Sequence, residues 1–337
     1  MSLHLITGVS GQDGAYLAAQ LLARGEHVLG TRRAGAQAGT LWRLRALGIE
    51  GHARLQLLQI DLADAAACRE LLSARPYALY HLAAQSRVAE SLRDPQASLL
   101  ANGLVTRNLL EALHASSPQT RFVFASSAEL FGHAREVPQS EATPFAPANP
   151  YAQAKHYAHR LTQQYRSEQG VHASCAILFN HESPLRAPDF VTRKIAAAAV
   201  RLSRGSDSTP LALGNLAAQR DFGYAPEYVA AMAAMAERAH GDDYVLATGV
   251  ATSIRRFAEL AFAAAGIALQ WQGEGAAEHA LDAAGRTLLQ VDPALFRPHD
   301  APLLVGDARR ARAELGFAPR TDVAALARLM VEAERQR

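Results

Sequence analysis

A short apolar run, Leu3–Thr7, leads straight into Gly8-Val9-Ser10-Gly11-Gln12-Asp13-Gly14. A helical pattern then runs from Asp13 to Arg24 with Tyr16, Leu17, Leu21 and Leu22 on its apolar face. Few folds have a use for three glycines spaced three apart between a strand and a helix. Gly8 permits the tight turn, Gly11 lets backbone approach a pyrophosphate, and Gly14 lets the helix pack closely on the sheet. The helix N-terminus then faces phosphate. This predicts a dinucleotide-binding unit at the start of the chain, with Gln12 and Asp13 beside the cofactor.

The pattern continues in kind. Apolar runs at His27–Gly30, Leu55–Ile60, Leu79–Leu82, Arg121–Ala125 and Val171–Leu178 read as strands. Helical stretches at Asp64–Leu72, around Leu99–Leu113 and at Tyr151–Gln169 separate them. Strands alternating with helices predict an α/β fold, a Rossmann-type doubly wound parallel sheet. Beyond Leu178 the periodicity changes. Asn180–Asp189 reads as a loop, Thr192–Arg204 and Pro226–Ala236 as helices, Gly273–Gly285 as a mobile insertion or weak helix, and Asp322–Arg337 as a closing helix. A chain of 337 residues exceeds what a single core usually supports, so a second, smaller mixed α/β lobe is expected.

Composition excludes several functions. A net charge of +2 with no sustained basic stripe argues against a nucleic-acid partner. Met1–Gly11 lacks the features of a secretory leader, and no apolar run is long enough to span a membrane, so a cytoplasmic protein is expected. Cys68 and Cys175 read as buried thiols, and no metal site is expected. Of 34 basic residues only two are lysines, Lys155 and Lys194, which makes each worth explaining.

The cofactor is expected to be NADP. An acidic residue normally closes the second strand and holds the ribose 2′-hydroxyl, but here Gly30-Thr31 is followed by Arg32 and Arg33, which can pair with a 2′-phosphate. Asp61, with Leu62 beside it, is placed to meet the adenine. Leu82-Ala83-Ala84 supplies small residues where the cofactor must lie close.

The chemistry concentrates in Tyr151-Ala152-Gln153-Ala154-Lys155. At i and i+4 the two side chains share a helix face, so the lysine cation favours the phenolate and reaches the nicotinamide ribose. Such a tyrosine can take a proton from a sugar hydroxyl as hydride leaves the same carbon. Ser127, just past the fifth strand, can share that proton traffic. Glu129 goes beyond what a simple dehydrogenase needs: a carboxylate there can remove a carbon-bound proton next to a ketone and protonate a leaving hydroxyl.

With these residues in place, the chain resembles the GDP-mannose 4,6-dehydratase family of extended short-chain dehydrogenases. The resemblance is carried by Gly8–Gly14 with Ala15-Tyr16-Leu17-Ala18, by Leu82–Ser86, and by Ser127, Glu129, Tyr151 and Lys155. It continues through Asn180-His181-Glu182-Ser183-Pro184, Phe190-Val191-Thr192-Arg193-Lys194, Arg220-Asp221 and Phe296-Arg297-Pro298, nearly end to end; Trp42-Arg43-Leu44 is similar to a loop of some bacterial members. It implies that residues 1–178 hold NADP and the catalytic set. It also implies that 179–337 form mainly the sugar-nucleotide lobe, interleaved with the first. Ser86, Asn180, Val191, Lys194, Arg220 and Arg297 are then the substrate contacts, and His181 orients its loop.

The implied reaction is an internal redox on GDP-mannose: oxidation at C4, loss of water across C5 and C6, and reduction at C6 to a 4-keto-6-deoxy sugar. Alternatives are an NADPH-dependent reductase or epimerase of the keto product, and a dehydratase of another nucleotide hexose. Homodimers or homotetramers are implied, with the helices near Leu99–Leu113 and Tyr151–Gln169 at the dimer contact. The chain departs from the family pattern at Ser127 (threonine), Ala128 (a polar residue), Ala187 (glycine), Phe222 (tryptophan), Tyr224 (histidine) and His299-Asp300 (Ala-Glu). Several of these are expected on the sugar or nucleotide face, which leaves an altered hexose open.

Overall fold

The computed structural model describes residues 1–36, 38–134, 136–205, 207–296 and 303–337. Two compact units divide the chain. One comprises Met1–Leu178, Ala225–Leu246 and Asp307–Ala318, the other Phe179–Tyr224, Ala247–Gly306 and Pro319–Arg337.

The first unit is built on a seven-stranded parallel sheet. Its strands are β1 (Leu3–Thr7), β2 (His27–Arg33), β3 (Leu55–Ile60), β4 (Ala78–His81), β5 (Arg121–Ala125), β6 (Ala173–Leu178) and the strand Asp243–Leu246. From one edge the order is Asp243–Leu246, β6, β5, β4, β1, β2, β3. The central strands are buried along their length, because helices cover both faces. Leu5, Leu79, Phe122 and Phe124 pack against Leu109, Leu110 and Leu113 in one core. The order in which strands are added reverses between β1 and β4, and ligand loops of such sheets emerge at that point.

Here the two loops touch. Gly8 has φ +72°, and a Cβ on it would lie 2.9 Å from the backbone of Ala83. Gly14 is tighter: a Cβ there would meet the Gly8 carbonyl oxygen at 2.5 Å and Val9 Cα at 2.7 Å. The expected roles of these glycines thus have a steric basis.

Several boundaries differ from expectation. β2 runs on through Arg32 and Arg33, which pair with Gln59 and Ile60 of β3. The helix expected at Leu99–Leu113 is Pro95–Leu99 and Val105–Ser116 joined by a π turn at Leu100–Leu104. That turn sends Asn102 inward, where its amide donates to the Gln85 carbonyl (3.0 Å) and accepts from the Gln85 N–H (3.1 Å). Both cysteines are buried free thiols. Among the described residues no helix is long and apolar enough to cross a membrane.

The second unit packs three helices, Val191–Ser203, Ile254–Ala264 and Val323–Arg335, around Leu202, Phe257, Phe262, Leu326 and Met330. The expected loop at 180–189 begins instead as a strand, Asn180–Glu182, pairing parallel with Gln219–Tyr224. Nor is 273–285 a mobile insertion. His279–Leu281 is a strand held between Gln270–Gln272 and Thr287–Val291. Both strands are three residues long, too short for alternation to declare them.

Because the atoms that a Cβ on Gly14 would strike belong to backbone, Gly14→Ala should cost about 2 kcal/mol of stability. A urea unfolding titration checks this; an unchanged midpoint would mean the helix start can move away freely.

Candidate active site

The helix Pro150–Gln169 begins where Asn149 caps it. The Asn149 Oδ1 accepts from the Ala152 N–H at 2.8 Å, and Pro150 takes the first helical position, where no N–H is needed. Tyr151 and Lys155 follow one turn apart, 8 % and 3 % exposed. Lys155 Nζ donates to the Ala125 carbonyl at the end of β5 (2.8 Å) and lies 4.7 Å from the centre of the Phe124 ring. Burial pushes the ammonium down to about 7, against the opposing influence of Asp13 and Cys175.

Past β5 the chain turns through Ser126 and Ser127 into a short 3₁₀ helix, Ala128–Phe131. Ser127 caps it, its Oγ accepting from the Glu129 N–H at 3.2 Å. Glu129 Oε2 accepts from Asn149 Nδ2 at 3.1 Å. One asparagine therefore joins the carboxylate to the helix that carries the tyrosine. Asn149 was not among the expected residues, although an Asn-Pro pair ahead of a helical pattern is a readable start signal. Ser127, Glu129, Tyr151 and Lys155 all belong to the first unit.

At the cofactor end, the helix Gln12–Ala23 starts at Gly11, which offers no side-chain cap. Gln12 is buried and its amide donates to Asp13 (3.0 Å). Thr7 Oγ1 accepts from the N–H groups of Leu82 and Ala83, both at 3.1 Å. His81, fully enclosed, is pushed down to about 3 by burial and by Lys155, so its ring is neutral. Since the Thr106 hydroxyl donates to the Asn102 carbonyl, His81 Nε2–H must donate to Thr106 (3.1 Å). Nδ1 then accepts from Thr7 (2.8 Å). Leu82 is half-buried; Ala84 and Ser86, in the same segment, are exposed.

Lying within β2, Arg32 and Arg33 leave the strand on opposite faces. Arg32 is buried, its Nη2 donating to the Ala36 carbonyl (2.8 Å) while its Nε has no hydrogen-bond partner among the described residues; Arg33 is exposed. Arg43, from the next short helix, donates to the Ser10 carbonyl of the glycine loop at 3.1 Å. Asp61 is exposed, and one of its oxygens accepts from the Ala63 N–H (3.0 Å), with Leu62 buried beside it. The glycine cradle, the uncapped helix start and the unpartnered Nε of Arg32 fit a phosphorylated dinucleotide.

In the second unit, Asn180 pairs with Phe222, two residues along from Arg220 on the strand Gln219–Tyr224. Val191 and Lys194 lie in the first turn of the helix Val191–Ser203, the lysine exposed. His181 Nδ1–H donates to the Phe179 carbonyl (2.7 Å), which orients its segment. Two buried acids escaped the sequence reading. Glu182 accepts from Thr192 (2.6 Å) and lies 3.0 Å from Arg186, and Asp221 accepts from Thr248, Gly249 and Gly306. Arg297 lies outside the described residues, as do His299 and Asp300.

The model of the family described as GDP-mannose 4,6 dehydratase matches residues 5–330. The chain belongs to that family. It is 46 % identical to the GDP-mannose 4,6-dehydratase of Sinorhizobium fredii, an alignment covering 97 % of this chain and 95 % of the relative. Among solved structures it is similar to RMD from Pseudomonas aeruginosa complexed with NADPH (25 % identity, TM-score 0.77, all of both chains). It also shares its fold with UDP-glucose 4-epimerase of Thermotoga maritima (20 % identity, TM-score 0.83, 99 % of both chains). A member of the GDP-mannose 4,6-dehydratase family is an enzyme, and this one is an NADP-dependent dehydratase.

Set against the family pattern, two departures are buried. Phe222 is 3 % exposed and packs on Phe257 in the second unit's core, with ring centroids 5.5 Å apart, and Ala128 is 4 % exposed. Tyr224 is half-buried against the same core as Phe222, and Ala187 is half-buried.

Lys155 also gives the cofactor-free enzyme a pH signature. Between about 7 and the ordinary lysine value, the unfolded chain holds a proton that the folded chain lacks. Stability from this group therefore rises with pH across that window and is lost as pH falls toward about 7. Melting temperatures of wild type and Lys155→Met, taken without cofactor at a series of pH values, should diverge in favour of wild type as pH rises. Parallel curves would place the lysine in water.

Proposed function

We propose that this enzyme converts GDP-mannose to GDP-4-keto-6-deoxymannose with loss of water, using NADP that is regenerated in each turnover. The observation that carries the reading is Glu129 anchored by Asn149 at the head of the Tyr151–Lys155 helix. A reductase has little use for that carboxylate, whereas a dehydratase needs a base at C5.

NADP would be held by Gly8, Gly11, Gln12, Asp13, Gly14, Arg32, Arg33, Asp61, Leu62, Leu82 and Ala84, and would supply the redox couple for oxidation at C4 and reduction at C6 of the hexose. Tyr151 takes the proton of the C4 hydroxyl, and the cation of Lys155 favours the phenolate that does so. Ser127 donates a hydrogen bond to the same oxygen. Glu129 removes the C5 proton, acidified by the new ketone, and delivers a proton to the departing C6 hydroxyl; as C6 is reduced, Tyr151 delivers to C5 the proton it took, so both groups end the turnover as they began. Asn180, Val191, Lys194, Arg220 and Arg297 receive the nucleotide diphosphate, and Ser86 the hexose. Two cations fixed on a strand and a helix start suit a diphosphate.

The enzyme also presents a contact for a second copy of itself, as a homodimer or within a tetramer. Leu92, Leu99, Leu100 and Tyr157 are each at least 40 % exposed, and Tyr157 and Leu99 adjoin across Gly103. Exposed apolar groups gathered on neighbouring helices mark an interface. Leu100→Glu should leave a monomer in light scattering; an unchanged mass would place the interface elsewhere.

Purified enzyme given GDP-mannose and a trace of NADP⁺ should release one water from many substrate molecules per cofactor, without accumulating NADPH. Mass spectrometry reads both. Conversion of keto-sugars with excess NADPH instead would make the enzyme a reductase. Glu129→Gln should reduce kcat by about 10²–10⁴-fold with substrate still bound; full turnover would remove Glu129 from the mechanism.

A further inference from the structure

One buried polar cluster of the first unit serves none of the steps above. His159 follows Lys155 by one turn on the helix Pro150–Gln169, so Tyr151, Lys155 and His159 share a face. Its ring is wholly buried, walled by the edge-on ring of Phe145 at 4.9 Å. Nδ1 lies 2.9 Å from the hydroxyl of Ser126, the residue between Ala125, whose carbonyl holds Lys155, and Ser127. Ser126 is itself fixed to the sheet, its N–H donating to the Ala176 carbonyl of β6 at 2.8 Å.

On its other side, His159 Nε2 makes no hydrogen bond and faces Asp243 Oδ2 at 3.4 Å. Asp243 stands on the edge strand Asp243–Leu246 and accepts from Arg166 (2.9 Å) and Gln163 (2.6 Å), both later on the same helix. Burial pulls its carboxyl upward, but His159 and Arg166 together hold it well below the usual carboxylate range. Cys175 joins His159 and Asp243 within 4.8 Å, a spacing that a metal ion could span. Burial pushes that thiol up, and Arg166 already pairs with the carboxylate at 2.9 Å.

We propose that His159 is a positioning residue for the dehydration. Through Ser126 it ties the rotational setting of the helix bearing Tyr151 and Lys155 to the strand end bearing Ser127. The close contact is to Ser126 and the loose one is to Asp243, so the Ser126 arm governs the chemistry. A helix turned slightly about its axis moves Tyr151 and the Lys155 cation together relative to Ser127, and small misplacements at reacting groups are costly.

The kinetic half of the test rests on the dehydratase reading; the spectroscopic half does not. His159→Asn keeps an acceptor near the Nδ1 position for Ser126, whereas His159→Gln reaches toward Asp243 and abandons Ser126. The expected result is a kcat about ten-fold lower in His159→Gln and in Ser126→Ala, with no further loss in their double variant. His159→Asn should stay within about two-fold of wild type, and KM for GDP-mannose should hold in all four. The Tyr151 phenol, titrated by ultraviolet difference against Tyr151→Phe in each background, should move upward in the variants that lose kcat. A wild type that leaves GDP-mannose intact would sink the dehydratase reading, while the titration would still decide this proposal. Unchanged Tyr151 titration in every variant, with only the melting temperature lowered, would overturn the proposal. So would additive losses in the double variant.

Discussion

An ammonium group enclosed by protein is the constraint around which the first unit is arranged. Lys155 is taken out of water at a cost of several kcal/mol, and the Ala125 carbonyl and the face of the Phe124 ring offset part of that. The lysine depends on the helix Pro150–Gln169 being held where Nζ meets Ala125. Asn149 secures the helix start, and Arg166 secures its far half through Asp243 and the Ala173 carbonyl. The same geometry sets Tyr151 one turn from a cation whose proton is lightly held. A tyrosine that must give and take a proton near neutrality gains from such a neighbour, because the pair responds to charge arriving beside it.

A buried cation also dictates what its surroundings are allowed to be. His81 ends β4 in the same enclosed region, and a second positive charge there would oppose the first. Burial and Lys155 keep that imidazole neutral. Neutrality gives the ring one donor and one acceptor, and the Thr106 hydrogen bond decides which nitrogen is which. The result is a one-way chain from the Leu82 and Ala83 amides through Thr7, His81 and Thr106 to the Asn102 carbonyl. It fastens the second loop at the point where Gly8 comes against it. The loop at Leu82–Ala83 and Lys155 are in this sense one electrostatic arrangement.

Much of this was legible in the residues, and the reasons differ from place to place. The glycine spacing and the Tyr-Lys spacing announced themselves because each fixes backbone or helix geometry over a few residues. The seventh strand of the sheet, Asp243–Leu246, was illegible because its partner β6 lies some 65 residues earlier and four residues show no period. Arg32 and Arg33 read as a pair, but β2 extends through both and strand alternation separates them. Asp221, Glu182 and Asp243 went unread because an acid in a sequence carries no mark of burial. Only the fold shows that backbone amides surround one, a hydroxyl and an arginine the next, and an arginine with a histidine the third.

Residue 127 shows how such local fastening bears on chemistry. A threonine at that position would be restricted in rotamer by its methyl group, and serine gives that restriction up. Here, though, the Ser127 hydroxyl caps the 3₁₀ helix that carries Glu129, and the hydrogen bond from the Glu129 N–H holds the oxygen in place. The cap does by polarity what the methyl does by crowding. It also couples the hydroxyl and the carboxylate directly, since the amide that orients the serine belongs to the carboxylate's own residue. Glu129 is in turn fixed by Asn149 and the tyrosine's helix by Ser126 and His159. The hydroxyl, the carboxylate and the phenol are therefore set by one connected network rather than by three separate pockets. A loss at any link is then felt as misalignment among all three groups.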